Sequence, residues 1–456
     1  MQGKLSFEAL QEAVAVGRID TVIAAQVDMQ GRLMGKRFHA QHFVDEAWAE
    51  THSCNYLLAT DIEMIPVPGY AATSWSAGYG DYVMKPDLST LRITPWAEGT
   101  ALVLCDVLDH HTHAPVPHSP RAVLQRQITR LKAMGYRAMV ATELEFFLFR
   151  ECYETLADRG YRGLTPISPY NEDYHIFQTA KEEDVMRAIR NGLYGAGIPV
   201  ENSKGEADAG QEEINVRYAD ALTTADHHSI LKNAVKEIAW QKGRAVTFMA
   251  KWSADAAGSS SHIHQSLQRI DDGSAVFVDA GRPYGLSQTA EAFLSGLLKH
   301  ADETSLFLAP YVNSYKRFAA ETFAPVSTVW SVDNRTAGYR LVAAGSESVR
   351  IENRIGGADL NPYLAIAAQL AAGMAGIEAG LTLEPAFEGD AYSVPEDRLI
   401  PGTLREAIVA AEGSVMLREA FGDDVVEHYL RAARWEQAHF DRAVTDYEVR
   451  RGFERG

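Results

Sequence analysis

The sequence predicts an α+β protein in two parts, a small opening unit and a larger unit behind it. Three observations carry this. A short helix, a pair of strands and a closing strand occupy roughly the first quarter of the chain. A proline-bearing, histidine-rich stretch follows, and beyond it helices and well-alternating strands take turns to the C-terminus. With 456 residues, 46% of them hydrophobic, there is ample material for a core and room for more than one domain. The boundary is placed between residues 113 and 114, giving units 1–113 and 114–456.

In chain order, residues 6–17 have the apolar spacing of a short amphipathic helix. Thr21–Asp28 reads as a strand, Gln30-Gly31 as a turn and Arg32–Phe38 as its partner strand. Pro66, Pro68, Gly69, Gly78 and Gly80 mark a loop region, and Thr100–Val107, rich in β-branched and aliphatic residues, closes the first unit. His110-His-Thr-His-Ala-Pro-Val-Pro-His118 offers metal-type side chains, but its prolines predict an extended connector with solvated histidines. Pro120 opens the second unit with a helix over Arg121–Met134, stopped by Gly135. Leu381–Thr403 is loop-rich, and Leu404 to Arg450 is helical with charged faces.

A net charge of −18 argues against a general binder of nucleic acid or anionic membrane. Cys54, Cys105 and Cys152 share no metal-type spacing and suit a reduced, cytoplasmic chain. Neither a membrane-length apolar run nor a signal-peptide core is expected at Met1-Gln-Gly-Lys-Leu-Ser-Phe-Glu8 or beyond.

The chemistry concentrates in the second unit. In Val140-Ala-Thr-Glu-Leu-Glu-Phe-Phe-Leu-Phe149, strand alternation puts Glu143 and Glu145 on one face, with Cα atoms roughly 6.5–7 Å apart. The apolar flanks predict burial, where unpaired carboxylates cost several kcal/mol each. A cation must therefore lie between them: an Arg or Lys clamp, or a hard divalent metal. Further on, in Glu201-Asn-Ser-Lys-Gly-Glu206-Ala-Asp-Ala-Gly-Gln-Glu-Glu213-Ile-Asn-Val-Arg-Tyr218, a glycine-bearing loop leads into a strand on which Glu213, Asn215 and Arg217 share a face. Gly258-Ser-Ser-Ser-His262-Ile-His264-Gln-Ser266 delivers two histidines to one strand face, spacing that suits one metal ligand beside one phosphate-contacting donor. Asn313-Ser-Tyr-Lys-Arg317, Asn334-Arg335-Thr-Ala-Gly-Tyr-Arg340 and Arg350-Ile-Glu352-Asn-Arg354 add arginines, the side chain for bidentate recognition of carboxylate and phosphate, and in the last Arg350, Glu352 and Arg354 alternate onto one strand face. Together these stretches read as a metal-assisted phosphoryl-transfer site, although the arginines alone would also suit a structural salt-bridge ladder.

In order, spacing and wording these stretches resemble the glutamine synthetase family. The resemblance rests on E-L-E-F-F-L-F, E-x-D-x-G-Q-x-E-I, G-S-x-x-H-I-H-x-S, N-S-Y-K-R, N-R-T-x-x-x-R, R-x-E-x-R and N-P-Y-L-A, and reaches Gly80-Asp-Tyr-Val-Met-Lys-Pro-Asp87 in the first unit. It implies a β-grasp-like N-terminal domain, a catalytic domain on curved antiparallel strands, and a homo-oligomeric ring, a dodecamer, with shared active sites. The implied reaction activates L-glutamate with ATP as γ-glutamyl phosphate, which an amine attacks. By motif position Glu145, Glu206 and Glu213 match the ligands of one Mg2+ or Mn2+, and Glu143, His262 and Glu352 those of a second ion bridging to nucleotide. Arg317 and Arg354, with backbone at Gly258, are similar to the glutamate-binding positions. Arg335, Arg340 and Arg350 match phosphate-holding ones, and His264 and Ser266 nucleotide-contacting ones. Arg317, Arg335 and Glu213 are the implied catalytic residues.

The chain departs from the family at the ammonium site. A glutamate directly before Ala-Pro-Val is replaced here by Phe323, with Glu321 two residues away, and the D-G-S-S stretch has no counterpart around His52-Ser-Cys-Asn-Tyr56. Loss of both carboxylates with retention of the glutamate, metal and nucleotide groups implies ligation of glutamate to an organic amine, as in the branch acting on polyamines, putrescine or ethanolamine. Phe323 would pack against the alkyl part of that amine. Two rivals are an ammonia-using glutamine synthetase relying on Glu321, and a non-catalytic regulatory relative, against which the retained ligands speak. Tyr392 falls where some members carry a nucleotidylated tyrosine, and an ordinary loop tyrosine is the other reading.

Overall fold

The computed structural model describes residues 3–456 except residue 77. The helix Phe7–Ala15 is capped by Ser6, whose hydroxyl accepts from the Ala9 N–H. Six strands follow: β1 (Thr21–Val27), β2 (Leu33–His39), β3 (Thr51–Cys54), β4 (Asp81–Pro86), β5 (Arg92–Ile93) and β6 (Thr100–Asp109). They form one sheet in the order β2-β1-β6-β4-β3, with β5 on β6. The hairpin β1–β2 is closed as the Gln30-Gly31 signal predicts. The Asp28 carboxylate accepts from the backbone N–H groups of Gln30 and Arg32 at 3.0 and 2.8 Å, and from Arg32 Nε at 2.7 Å. β1 runs parallel to β6.

The second sheet is built on β7 (Tyr136–Phe149), β8 (Val200–Gly205), β9 (Gln211–Val216), β10 (Ala219–Asp220), β11 (Ala245–Thr247), β12 (Ser261–Arg269), β13 (Trp330–Val332), β14 (Tyr339–Val342) and β15 (Arg350–Asn353). Its order is β13-β14-β15-β12-β7-β9-β8, with β10 and β11 also on β7. The sheet is curved and nearly closed. Every pairing in it is antiparallel except β13 with β14, one departure from the all-antiparallel expectation.

Alternation along β7 separates two environments. Leu144, Phe146 and Leu148 point back with Ile214 of β9. They pack on Val185, Ile189 and Leu193 of the helix Glu183–Gly195, and on Ile230, Val235 and Ile238 of the helix Ala221–Gln241. Each such side chain contributes about 1.5–3 kcal/mol by leaving water. Ala25, Leu102 and Leu104 of the first sheet enter the same cluster, so the two sheets share a core. The helix Pro362–Glu378 is buried all round over most of its length and centres the largest apolar cluster, as its unbroken apolar sequence requires.

Three local expectations are corrected. Residues 201–205 belong to β8 and not to a loop, because their backbone pairs with β9 in spite of a polar sequence. His110, His111 and His113 are exposed, but His118 is buried, stacked on His428 with ring centroids 4.1 Å apart and hydrogen-bonded through Nε2 to the Tyr82 hydroxyl at 3.2 Å. β15 ends at Asn353, so Arg354 lies just beyond the strand and not on its face.

Candidate active site

The front face of the second sheet assembles the site by register alone. Across β7, Glu143 lies opposite His262 of β12 and Asn215 of β9, and Glu145 lies opposite Glu213, itself opposite Lys204 of β8. His264 pairs with Glu352 of β15, which pairs with Arg340 of β14. Partners in register share a face, so six strands place one charged array where single stretches of sequence gave two residues each.

Two clusters stand out. Carboxylate oxygens of Glu145, Glu206 and Glu213 lie within 4.8 Å of one another, as do ligand atoms of Glu143, His264 and Glu352. His262 also reaches the second group, with Nδ1 at 3.1 Å from Glu143 and 3.4 Å from Glu352. His264, matched by sequence to a nucleotide contact, places Nε2 at 2.8 Å from Glu143 Oε1 and receives Arg350 Nε on Nδ1 at 3.3 Å. The donors are hard oxygens with imidazole nitrogens, and the set fits a hard divalent cation. At the first cluster the compensating cation is Lys204, paired with Glu206 and 3.8 Å from Glu213.

The electrostatics follow. Burial, then the charges of Glu143 and Glu145, push Glu213 up to about 7. Burial acts the same way on Glu143, but hydrogen bonds from His262 and His264 outweigh it and hold that carboxyl well below its usual range. Glu352 is likewise lowered against its burial by His262 and Arg354. Glu145 is fixed by the Ser260 N–H at 2.7 Å and by Gln211 Nε2 at 3.2 Å, which also donates to the Gly258 carbonyl at 3.0 Å. Gly258 is required by close approach: a Cβ there would lie 2.5 Å from Arg317 Cγ.

A cavity of about 680 Å³ opens over these clusters, walled by Arg317, Arg335, Arg340, Arg354 and Phe323 among others. The arginines are not equivalent. Arg317 is 2% exposed and spends its Nη groups on the carbonyls of Ile355 and Arg354 at 2.9 and 3.0 Å. Arg340 bonds Asp333 and Glu352, and Arg354 bonds Glu352 at 2.6 Å, the Arg335 carbonyl at 3.1 Å and the Phe323 carbonyl at 3.4 Å. Arg335 is exposed, and among the described residues its guanidinium forms no ion pair or hydrogen bond. Phe323 is 59% exposed with a positive φ of 57°, unusual for an aromatic residue, and Glu321 does not line the cavity.

Glu143, Asn202 and Asn215 are shared with an adjoining cavity of about 490 Å³, where His264, Ser266 and Arg350 lie beside Tyr218 and Phe277. The site therefore divides into a carboxylate-and-arginine chamber and a second cleft joined to it at Glu143, Asn202 and Asn215. Sequence reasoning missed Lys204, Gln211, Asn202 and Asp208, whose carboxylate accepts from the Ala257 N–H at 2.6 Å. Alternation in β8 could have flagged Lys204 and Asn202 as facing the acids, had the strand been recognised. The Tyr392 hydroxyl is buried, beside the backbone of Thr322 and Phe323.

Residues 117–452 match the glutamine synthetase catalytic domain, and the chain belongs to that family. It is 49% identical over 452 residues to the gamma-glutamylethanolamide synthetase GlnA4 of Streptomyces coelicolor, covering 99% of this chain and 96% of that protein. To the glutamate–isopropylamine ligase of a Pseudomonas species it is 36% identical over 453 residues, covering 99% and 98%. A GmaS–ADP complex superposes with a TM-score of 0.85 at 27% identity, covering 99% of this chain and all of that one. No helix among the described residues is long and apolar enough to cross a membrane.

Proposed function

We propose that the chain is an ATP-dependent ligase joining the γ-carboxylate of L-glutamate to a small organic amine. The observation that carries the reading is the cavity itself: carboxylates and arginines suited to phosphoryl transfer face an exposed aromatic, Phe323, where a carboxylate would be needed to hold ammonium. Both named ligase relatives act on compact monoamines, and this favours ethanolamine-sized nucleophiles over polyamines. Two divalent ions, Mg2+ or Mn2+, held by Glu145, Glu206 and Glu213 and by Glu143, His262 or His264, and Glu352, would neutralise nucleotide phosphate charge.

In this reading the adjoining cleft, with His264, Ser266 and Arg350, takes the nucleotide. Arg354, held beside Glu352, and the Gly258 backbone anchor glutamate; Arg317 braces that wall through the carbonyls it binds. The glutamate γ-carboxylate attacks the terminal phosphorus of ATP, and ADP leaves. Arg335, the unengaged guanidinium, turns onto the transferred phosphoryl and stabilises its charge. The amine nitrogen then attacks the acyl carbon, phosphate departs and the amine loses a proton. A ring assembly in the cytoplasm belongs to the same proposal; it would cover Ile62, Ile65 and Trp75, which are 51, 49 and 79% exposed. The test is phosphate release from ATP with glutamate and Mg2+ across ammonium, methylamine, ethanolamine, putrescine and spermidine. Selective stimulation by a small monoamine supports the reading, and stimulation by ammonium alone replaces it with glutamine synthetase activity.

A further inference from the structure

Behind the active site, on the opposite face of β9, three more carboxylates meet. Glu172 comes from the loop before the helix Ile176–Thr179, Glu182 from the residue preceding the helix Glu183–Gly195, and Glu212 from β9 itself, between Gln211 and Glu213. They are 0, 2 and 1% exposed, and one ligand oxygen of each lies within 4.8 Å of the others. None of the three forms an ion pair among the described residues. Independently of their clustering, each carries a buried oxygen with no hydrogen-bond partner: Glu172 Oε2, Glu182 Oε2 and Glu212 Oε1.

The surroundings do not resolve the charge. Lys181 is drawn away to Gln178 Oε1 at 2.7 Å, and Arg190 to Ser203 at 2.8 Å and to Glu183 at 2.5 Å. The loop is nonetheless held to receive something. Ser168 Oγ donates to Glu172 Oε1 at 2.9 Å while accepting the Gly210 N–H at 2.6 Å. Gly205 leaves room for Glu172 to pack, since a Cβ there would lie 2.8 Å from Glu172 Cγ. Burying three carboxylates with unmet lone pairs costs several kcal/mol apiece unless protons or a cation compensate. With oxygen donors only, in a site shielded from water, the compensating ion is hard and able to shed its hydration, which favours Ca2+ or Mn2+ over the reluctantly dehydrated Mg2+.

We infer that Glu172, Glu182 and Glu212 form a structural divalent-cation site on the back of β9, separate from the active-site clusters. The ion would pin the loop to the strand, and with it Asp173 and Tyr174, which follow Glu172 directly and line the active-site cavity. The inference does not depend on which amine the enzyme uses.

The decisive measurement is anomalous diffraction from crystals of the full chain equilibrated with Mn2+. A peak among the three carboxylates is expected, and a protein crystallised with Mn2+ that shows peaks at the front-face clusters but none here overturns the site. In solution, Mn2+ bound per chain is counted by electron paramagnetic resonance for the wild type, Glu172→Gln, Glu182→Gln and Glu213→Gln. Glu172→Gln and Glu182→Gln are each expected to bind one ion fewer and to lose part of the Mn2+-induced rise in melting temperature. Unchanged stoichiometry in both, with melting equal to or above wild type, would mean that the cluster is held by shared protons.

Discussion

At the scale of single residues, the proposed choice of nucleophile rests on Phe323. Its ring is exposed to the cavity and its backbone is strained, so the side chain is presented outward. Replacing it with glutamate exchanges an apolar contact worth about 1–3 kcal/mol for a carboxylate. Phe323→Glu should lower kcat/KM for the preferred organic amine by about 10- to 100-fold and raise that for ammonium; an unchanged ratio would show that the residue does not select. Arg335 is the complementary case. Since its guanidinium has no structural bond to lose, Arg335→Ala should cost about 10²–10³ in kcat while leaving the melting temperature within a degree or two. A large loss of stability would contradict the unengaged geometry.

At the scale of elements, the site is a property of strand register. Glu143 with Glu145, and His262 with His264, were legible because alternation within one strand fixes a common face. Which strand lies beside which was not legible: the antiparallel strands β7, β9, β12 and β15 come from stretches as much as two hundred residues apart or more, and only pairing brings Glu145 opposite Glu213. β8 was misread because Glu201, Asn202, Ser203 and Lys204 carry no apolar signal. Its partner strand supplies the structure that its own composition withholds. The same polar strand gives a prediction. Lys204 compensates Glu206 and Glu213, so Lys204→Gln leaves carboxylates unpaired, at a cost of a few kcal/mol. That variant should melt lower than wild type without metal and show the larger stabilisation on adding Mn2+, measured by thermal denaturation. Equal Mn2+ shifts would mean that Lys204 and the ion do not meet.

At the scale of the whole molecule, buried neutral histidines contribute a loss of stability in acid, opposed by buried carboxylates such as Glu213, whose raised pKa works the other way. Burial depresses His118 to about 4, burial with the nearby Arg92 charge depresses His227 to about 3, and burial lowers His428 well below its ordinary range. In the unfolded chain these rings titrate near 6.5. Below that pH the unfolded state takes up protons that the folded state refuses at these rings, so their contribution to stability falls as pH drops from about 6.5 toward 4, by an amount on the order of a few kcal/mol. Urea unfolding at pH 7 and pH 5 should show this loss, and His118→Gln, which can keep a hydrogen bond to Tyr82, should show less of it. Equal losses would remove His118 from the account. The sequence had placed this histidine in a solvated connector. Its burial depends on the C-terminal helix Asp423–Arg442, which brings His428 against it from more than three hundred residues away.

The clasp that Arg354 makes across the cavity has a further implication. One of its nitrogens grips Glu352, and another reaches the loop at residue 323 through the carbonyl oxygen of the main chain. Any amino acid supplies that oxygen. On the proposed reading, the side chain facing the incoming amine is therefore an interchangeable fitting on a fixed mount, and a lineage could retune its nitrogen source by a single codon without dismantling the machinery that activates glutamate.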